Sequence, residues 1–327
     1  MKTAAKFILS ATLLTLLGCG VRKSKGPDWA TSAPTGTVMA VSSQASWVVQ
    51  RQEFQNFLGQ FPIAERTLDL FLKRAHINPT EETGRVSFYV MDLKLNADQL
   101  KTGVDGSSFL IQLGGFREPK NLLMAITEAF PMEGSLLVGK RELPLYVLLD
   151  YNQFHMRLIF DEQDRIWIGD ISALAALGRT PTLSSPAQRA AEWINGRAPI
   201  QGMVLPEQLL EQASQKLPKE FAKEMPKGIQ ALAWSVTPSA AKDAPHSLEL
   251  AITGTPEGIQ QISPWIQRLV ALVSNMPGAP SHPADVLEEN GRIGLKAQLN
   301  ASQLETVMSR ISQPGLFKGA PSEERKP

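Results

Sequence analysis

The sequence predicts an α+β protein made of two similar lobes, each a mainly antiparallel sheet with helices on one face. Several short segments alternate apolar and polar residues with a period of two, as half-buried strands do. Other segments repeat apolar residues at three- and four-residue spacing, as amphipathic helices do. The order of these segments recurs once along the chain. Together these observations predict a duplicated unit of the split βαβ, or ferredoxin-like, type.

Length and composition agree with two folded lobes and exclude one class of partner. The chain has 327 residues, of which 43% are hydrophobic and 20% are charged, so it can bury two cores of ordinary size. Its formal net charge is +1. Nucleic-acid binding is therefore not expected, because it needs a basic surface that neutralises phosphates.

The first lobe is predicted to span residues 36–197. Helices are expected around 63–75 and from 118 to 130, where Pro119 suits the first turn. Asp170 is expected to cap a short helix, and Ser185, with Gln188 three residues later, another. Alternating apolar residues predict strands at 37–42, 85–95, 108–113, 145–149, 156–160 and 166–168.

The second lobe is predicted to span residues 198–313. Its helices are expected at 206–216, from Thr255 onward and after Asn300, which forms a capping box with Gln303. Pro264 is expected to kink or split the middle helix, because proline lacks the amide hydrogen that a helix interior needs. Strands are predicted at 200–205, 229–236, 248–252 and 292–299.

The internal repeat rests on two pairs of segments. Residues 107–126 and 246–265 both show a strand, a glycine, a helix start with charged residues and proline, and a helix. Residues 165–168, followed by Asp170, resemble residues 292–295, followed by Asn300. Each pair occupies the same place in its lobe, which is the basis for predicting a duplication.

The N-terminus has the three parts of an export signal. Lys2 and Lys6 supply the positive region, and residues 7–17 form an apolar run of 11 residues ending beside Gly18. A helix that crosses a membrane needs about 20 apolar residues, so residues 1–18 are predicted to be a signal peptide.

The residues LLGC at 16–19 resemble the lipobox of bacterial lipoproteins. The resemblance implies that the chain is cut before Cys19 and that its sulfur is acylated. Cys19 is the only cysteine of the chain, so it has no intramolecular disulfide partner. By analogy with sorting of these lipoproteins, Gly20 favours the outer membrane, facing the periplasm. Residues 19–35 are then a lipidated N-terminus and flexible tether, and residues 314–327 a disordered tail.

Candidate catalytic and metal-binding patterns are weak throughout the sequence. Residues 134–141 fit G-x-x-x-x-G-K, but Arg141 replaces the required Ser or Thr and no helix follows, so a β-hairpin is expected. The acidic residues Asp161, Glu162 and Asp164 lack the spacing of a calcium loop and predict a solvated hairpin tip. No two of the four histidines have helical metal-site spacing: His76, His155, His246 and His282. We therefore predict a protein that is not an enzyme and has no metal or cofactor, although a site assembled from distant residues leaves no sequence pattern.

Two functions agree with these predictions. The first is a membrane-anchored envelope lipoprotein that binds a protein partner or has a structural role. The alternative is a carrier or sensor that holds a small apolar ligand between sheet and helices or between lobes. Its groove would use the apolar stripes at 122–130 and 259–273, with adaptable methionines; packing of both stripes in the core is the simpler expectation. These methionines are Met39, Met91, Met124, Met156 and Met203. The sequence leaves the oligomeric state open.

The anchoring prediction is tested by Cys19→Ser. Without the thiol no acyl chain can be attached, so we expect the protein to lose palmitate labelling and to leave the membrane fraction. Fractionation and metabolic labelling of cells that produce the full chain measure both effects. The control is Ser24→Ala in the tether, which should stay with the membrane. Membrane retention of the Cys19→Ser protein without label would show that the anchor lies elsewhere.

Overall fold

The fold is described from a computed structural model of the chain. The residues that the structure describes are 30, 32–46, 73–78, 84–92, 108–151, 154–161, 164–178, 184–208, 227–239, 245–276, 284–289, 291–300, 302–303 and 306. They form a mixed α+β structure whose paired strands are antiparallel, as predicted. The predicted signal, Cys19, residues 20–29 of the tether, most of the helices at 63–75 and 206–216 and the C-terminal tail lie outside the described residues. The prediction of a flexible tether up to residue 35 is wrong at its end, because Ala33 is fully buried and Ser32 is hydrogen-bonded to Gln112.

The chain divides into two compact units. The first unit comprises residues 28–183 with 199–202, and the second comprises residues 184–198 with 203–327. Strand β8 (Ile200–Val204) carries the chain from one to the other. Each unit has its own set of neighbouring strands and its own buried apolar side chains.

The sheet of the first unit has the strand order β1-β2-β3-β7-β6-β5-β4. The hairpin strands β4 and β5 follow the first helix, so β4 becomes the outermost strand of this sheet. The bounds are β1 (Met39–Gln44), β2 (Arg85–Asp92), β3 (Ser108–Gly114), β4 (Met132–Val138), β5 (Arg141–Tyr151), β6 (Phe154–Phe160) and β7 (Ile166–Gly169).

Helix α1 (Pro119–Ala129) covers one face of this sheet. Its apolar stripe, Leu122 and Ile126, packs with Tyr146, Leu158 and Ile166, which point from β5, β6 and β7 toward the same side. Proline at the first turn costs no hydrogen bond there, which fits the observed start of the helix.

Helix α2 (Ile171–Ala176) lies on the other face. A Cβ added to Gly169 of β7 would be at the ordinary contact distance of 3.7 Å from the Cβ of Ala173, which places the helix on this face. The same Cβ would be 2.7 Å from the Leu110 side chain, so the glycine makes room for that side chain of β3. The predicted cap of this helix is confirmed, because the Asp170 carboxylate accepts the Ala173 amide at 2.8 Å.

This second face of the first unit buries polar side chains. Tyr89 is fully buried, and its hydroxyl donates to Oε1 of Gln112 at 2.6 Å. Ser32, from the segment before β1, donates to the same oxygen at 3.3 Å. Burial raises the pKa of Tyr89 to about 12, because the phenolate would lose its hydration. The tyrosine is therefore neutral at physiological pH and able to donate.

The second unit has the strand order β9-β10-β12-β11. Helix α3 (Ser185–Ala191) precedes these strands, and α4 (Pro256–Ser274) connects β10 to β11. The strand bounds are β9 (Ile229–Thr237), β10 (His246–Gly254), β11 (Ala284–Glu289) and β12 (Arg292–Leu299).

The helices of the second unit also lie on both faces of their sheet. Thr253 of β10 donates to the carbonyl of Pro186 in α3 at 2.9 Å. Ser263 of α4 donates to Glu288, which is paired with Ile293 and so lies on the opposite face. The expectation of helices on one face is wrong for both units, because the face with small and polar residues is also buried under short helices.

Two details of the predicted helices need correction, and one is confirmed. Helix α4 continues through Pro264 and is not split. Helix α3 begins after Ser184 rather than using Ser185 as its cap, and the Ser184 side chain makes no capping hydrogen bond. The predicted capping box is present, because Asn300 and Gln303 each accept the other's backbone amide at 2.9 Å.

Glu249 holds the turn after α3 against the sheet. It is 2% exposed on β10, and its Oε2 accepts the Asn195 amide at 2.5 Å and the Ser235 hydroxyl at 2.9 Å. Lys296 lies 3.8 Å from the other oxygen. A buried carboxylate needs such partners, since burying a charge without them is costly.

We expect Glu249→Ala to lower the free energy of unfolding by about 2–3 kcal/mol, because the Asn195 amide and Ser235 hydroxyl would lose their acceptor in a buried site. Denaturant titration followed by tryptophan fluorescence measures the change. Asp285→Ala, on an exposed position of β11, is the control and should cost less than about 0.5 kcal/mol. Equal effects of the two substitutions would contradict a specific role for Glu249.

Candidate interaction site

The outer strands of the first unit combine an ion-pair cluster with an exposed apolar edge. Among the described residues, β4 has a strand neighbour on one side only, which is β5. A strand at the edge of a sheet is a site where a further strand can pair. The predicted hairpin at 134–141 is confirmed, since β4 and β5 pair from Val138 and Arg141 across the turn Gly139-Lys140.

Arg157 anchors this edge from two strands away. It is only 5% exposed on β6 and donates to Glu133 of β4 through Nε at 2.5 Å and Nη2 at 3.1 Å. It also donates to both carboxylate oxygens of Asp150 on β5, at 2.8 and 3.2 Å. Paired contacts of this kind match the planar guanidinium to each carboxylate. The cluster links three neighbouring strands at a single buried group.

The cluster shifts the ionisation of its members in the expected directions. The hydrogen bonds that Arg157 donates to Glu133, and then those that it donates to Asp150, raise the pKa of Arg157, so it stays charged. Hydrogen bonds from Arg157 and then His155 lower the pKa of Asp150. A lowered carboxylate pKa stabilises the folded state above the unfolded value and loses that contribution as pH falls through the folded value. The cluster is thus intact at neutral pH.

His155 belongs to the rim of this cluster. Its Nδ1 lies 2.7 Å from Oδ1 of Asp150, and its side chain is exposed. Among the described residues, no group of three or more His, Cys, Asp and Glu side chains could hold a metal ion. His155 therefore serves here as a surface partner of Asp150.

Exposed apolar side chains lie on one face of β4. Met132 is 66% exposed and Leu137 is 64% exposed. The register pairs Met132 with Tyr146 and Leu137 with Glu142, so both point to the face that α1 covers farther inward. A bulge between Met132 and Gly134 lets residues five positions apart share that face. The result, among the described residues, is an edge strand that exposes apolar side chains on one face.

Two acidic side chains of the hairpin accept hydrogen bonds from neighbouring side chains. Ser135 donates to Glu142 across the strand pair, and Glu133 is bound by Arg157. Lys140 and Arg141 are exposed at the turn. The turn therefore presents positive charge next to Leu137, which is the next-to-last residue of β4.

The other candidates from the sequence are distributed over the fold. Asp161 is not a solvated tip: its carboxylate accepts from the Arg165 side chain and from Nε1 of Trp167, both at 2.8 Å. His76 is exposed, and Nδ1 of His246 accepts the Ser239 amide at 3.2 Å. His282 and Glu162 lie outside the described residues. Met203 and Met39 are buried, whereas Met124 is exposed.

Both apolar stripes pack inside their units. Leu122 and Ile126 are buried in the first unit, as are Ile259, Ile262 and Ile266 in the second. These side chains contribute to the cores, which agrees with the simpler of the two sequence interpretations. In the part of the chain that the structure describes, no helix has the length and apolar character needed to span a membrane.

Sequence reasoning missed the Arg157 cluster. An available signal was the arginine in the middle of an apolar strand, FHMRLIF at 154–160. Glu249 has the same signal in SLELAI at 247–252. A charge flanked by apolar residues at strand spacing indicates a buried ion that needs partners. The partners themselves come from distant positions and carry no local pattern.

Comparison with protein-family models, curated proteins and solved structures found no match for this chain.

We expect Arg157→Lys to weaken the attachment of β4. Lysine keeps the charge but cannot make paired contacts with both carboxylates, so the loss should be about 1–3 kcal/mol. Hydrogen–deuterium exchange of peptides covering 132–138 measures the local effect, which should be faster exchange there than in the second unit. Arg268→Lys, exposed on α4, is the matched control and should leave exchange unchanged. Unchanged protection of 132–138 in Arg157→Lys would contradict the anchoring role.

Proposed function

We propose that this protein is a membrane-anchored envelope lipoprotein that acts as a non-enzymatic protein-interaction module. The open edge of β4 carries this proposal. Strand β4 is the outermost strand on this side of the sheet among the described residues, and Met132 and Leu137 are exposed on one face of it. Proteins commonly bind extended segments at such an edge, using backbone hydrogen bonds for affinity and side-chain contacts for specificity.

The anchored part of the proposal rests on the first 19 residues of the sequence. Their charged, apolar and small-residue regions precede the only cysteine, and Gly20 follows it. Acylation of Cys19 would place the protein at the outer membrane, facing the periplasm. A flexible tether of about 10 residues has a typical end-to-end distance of roughly 15–20 Å, which lets the protein meet partners near that surface.

We further propose that the two units arose by duplication of one ferredoxin-like unit. Strand β3 leads into α1, and a later strand, β7, returns to pair with β3. In the second unit β10 leads into α4, and β12 returns to pair with β10. Strands β3 and β10 lie in the similar segments 107–126 and 246–265, and β7 and β12 contain the similar segments 166–168 and 293–295. The first unit differs by the inserted hairpin β4-β5 between its helix and β6.

A contact between an arginine and a tryptophan ring, present in each unit, supports the duplication. In the first unit the guanidinium of Arg165 lies 5.4 Å from the ring centre of Trp167. In the second unit Arg292 aligns with Arg165, and Gly294 aligns with Trp167. The indole of Trp193 occupies the space beside Gly294, where an added Cβ would be 2.8 Å from it, and Arg292 lies 4.9 Å from that ring. An arginine–indole pair is thus formed in both units, with the tryptophan supplied from different segments.

The carrier alternative has less support. A ligand groove between sheet and helix needs apolar side chains that line an open space. The described residues of both stripes are instead buried in the cores, which leaves the exposed edge of β4 as the more accessible apolar surface.

Site-specific photo-crosslinking in cells tests the interaction edge. A photoreactive residue at Met132 in the full chain should give an adduct of higher mass, because that side chain lies beside the docking edge. Leu137→Lys should reduce this adduct several-fold, since a charge on an edge strand opposes strand pairing. Immunoblotting of membrane fractions measures the adduct and the amount of protein.

Met124→Lys is the matched control, because Met124 is equally exposed but lies on α1. It should leave the adduct unchanged. An adduct that Leu137→Lys does not reduce, or the absence of an adduct at normal protein levels, would overturn β4 as the interaction edge.

A further inference from the structure

The second unit ends in an open edge of different character. Strand β11 pairs with β12 and has no strand neighbour on its other side among the described residues. Its pairing with β12 is regular from Ala284 to Glu289, without a bulge. Leu287 is 62% exposed on this strand. A regular exposed edge that carries a large apolar side chain is a template for strand addition.

The duplicated arrangement indicates what is missing beside β11. In the first unit the strand next to β7 is β6, and β6 has β5 on its outer side. In the second unit the strand next to β12 is β11, which occupies the place of β6. The place that corresponds to β5 has no described strand. An antiparallel strand added to β11 would complete the arrangement seen in the first unit.

Charge selects among possible partners for β11. Asp285, Glu288 and Glu289 are exposed, so three of its six residues are acidic. Glu289 is paired with Arg292 at 3.2 Å, which leaves a net negative edge. Two copies of β11 would repel each other, because like charges opposite one another are unfavourable in a strand pair. A partner edge needs apolar side chains and positive charge.

The β4 edge of the same chain has these properties. Leu137 is exposed on it, and Lys140 and Arg141 are exposed at its end. Its acids are occupied, since Glu133 binds Arg157 and Glu142 binds Ser135. In an antiparallel pair with Leu137 opposite Leu287, Val138 lies opposite Val286 and β4 ends there, so the turn residue Lys140 lies at the end of the pair that carries Asp285. The two edges are thus complementary in charge, and both carry an exposed leucine.

We propose that β4 of one copy pairs with β11 of a second copy, so that the protein associates head to tail through its sheet edges. This inference rests on the proposed function, because it names the occupant of the β4 edge. Two different edges form the contact, so it is head to tail and does not join the same edge of both copies.

Cysteine cross-linking between two tagged full-length chains tests the pairing. One chain carries Leu137→Cys and the other Leu287→Cys, and both are produced in the same cells and oxidised. We expect a mixed disulfide between the two tags and little 137–137 or 287–287 product. Wild-type chains, whose only cysteine is Cys19, control for the anchor.

Charge exchange adds a second readout. Asp285→Lys in the Leu287→Cys chain should reduce the mixed disulfide about two- to fivefold, as expected for one cross-strand ion pair. Lys140→Glu in the Leu137→Cys chain should restore it. A 137–137 product in excess of the mixed product would overturn the head-to-tail pairing in favour of β4 with β4. Absence of the mixed disulfide, with an adduct from Met132 to another protein, would overturn this inference and leave the proposed function intact.

Discussion

The structure depends on burying a polar face in each sheet. One face of each sheet packs its apolar residues under a helix, but the other is also covered and carries Tyr89, Arg157 or Glu249. A buried polar group left without a partner costs about 1–3 kcal/mol, whereas a completed hydrogen bond contributes about 1 kcal/mol. Covering this face is therefore favourable when most of its polar groups find a partner, as Tyr89, Arg157 and Oε2 of Glu249 do.

Those partners connect parts of the chain that are far apart in sequence. Gln112 joins Ser32, 80 positions away, to the face of the first sheet. Arg157 joins Glu133, 24 positions away, and so fixes the edge strand. Glu249 joins Asn195, 54 positions away, and so fixes the turn after α3. Each network converts a hydrogen-bonding requirement into a tertiary contact, and one of them positions the proposed interaction edge.

This dependence explains what could be predicted from the sequence. Strand alternation and the caps at Asp170 and Asn300 involve neighbours within a few residues, so they leave a local pattern. The pairing of Arg157 with Glu133 and Asp150 is set by strand order, which no local pattern encodes. The expectation of one covered face failed for the same reason: small and polar residues at alternate positions look solvent-exposed until distant segments cover them. Pro264 shows that packing can maintain a helix against a local preference.

In the proposed duplication, the two units end in edges of different character. Both units use a returning strand beside the strand that precedes the helix, and among the described residues the hairpin β4-β5 is present beyond it in the first unit and has no counterpart in the second. That insertion moves the open edge outward, and Arg157 holds it in place. The second unit keeps the shorter sheet, and the acids of β11 oppose pairing with a like strand. If β4 of one copy pairs with β11 of another through a contact this short, the copies remain separate at low concentration. Confinement by the proposed lipid anchor raises the local concentration, so a contact of two short strands becomes sufficient at the membrane.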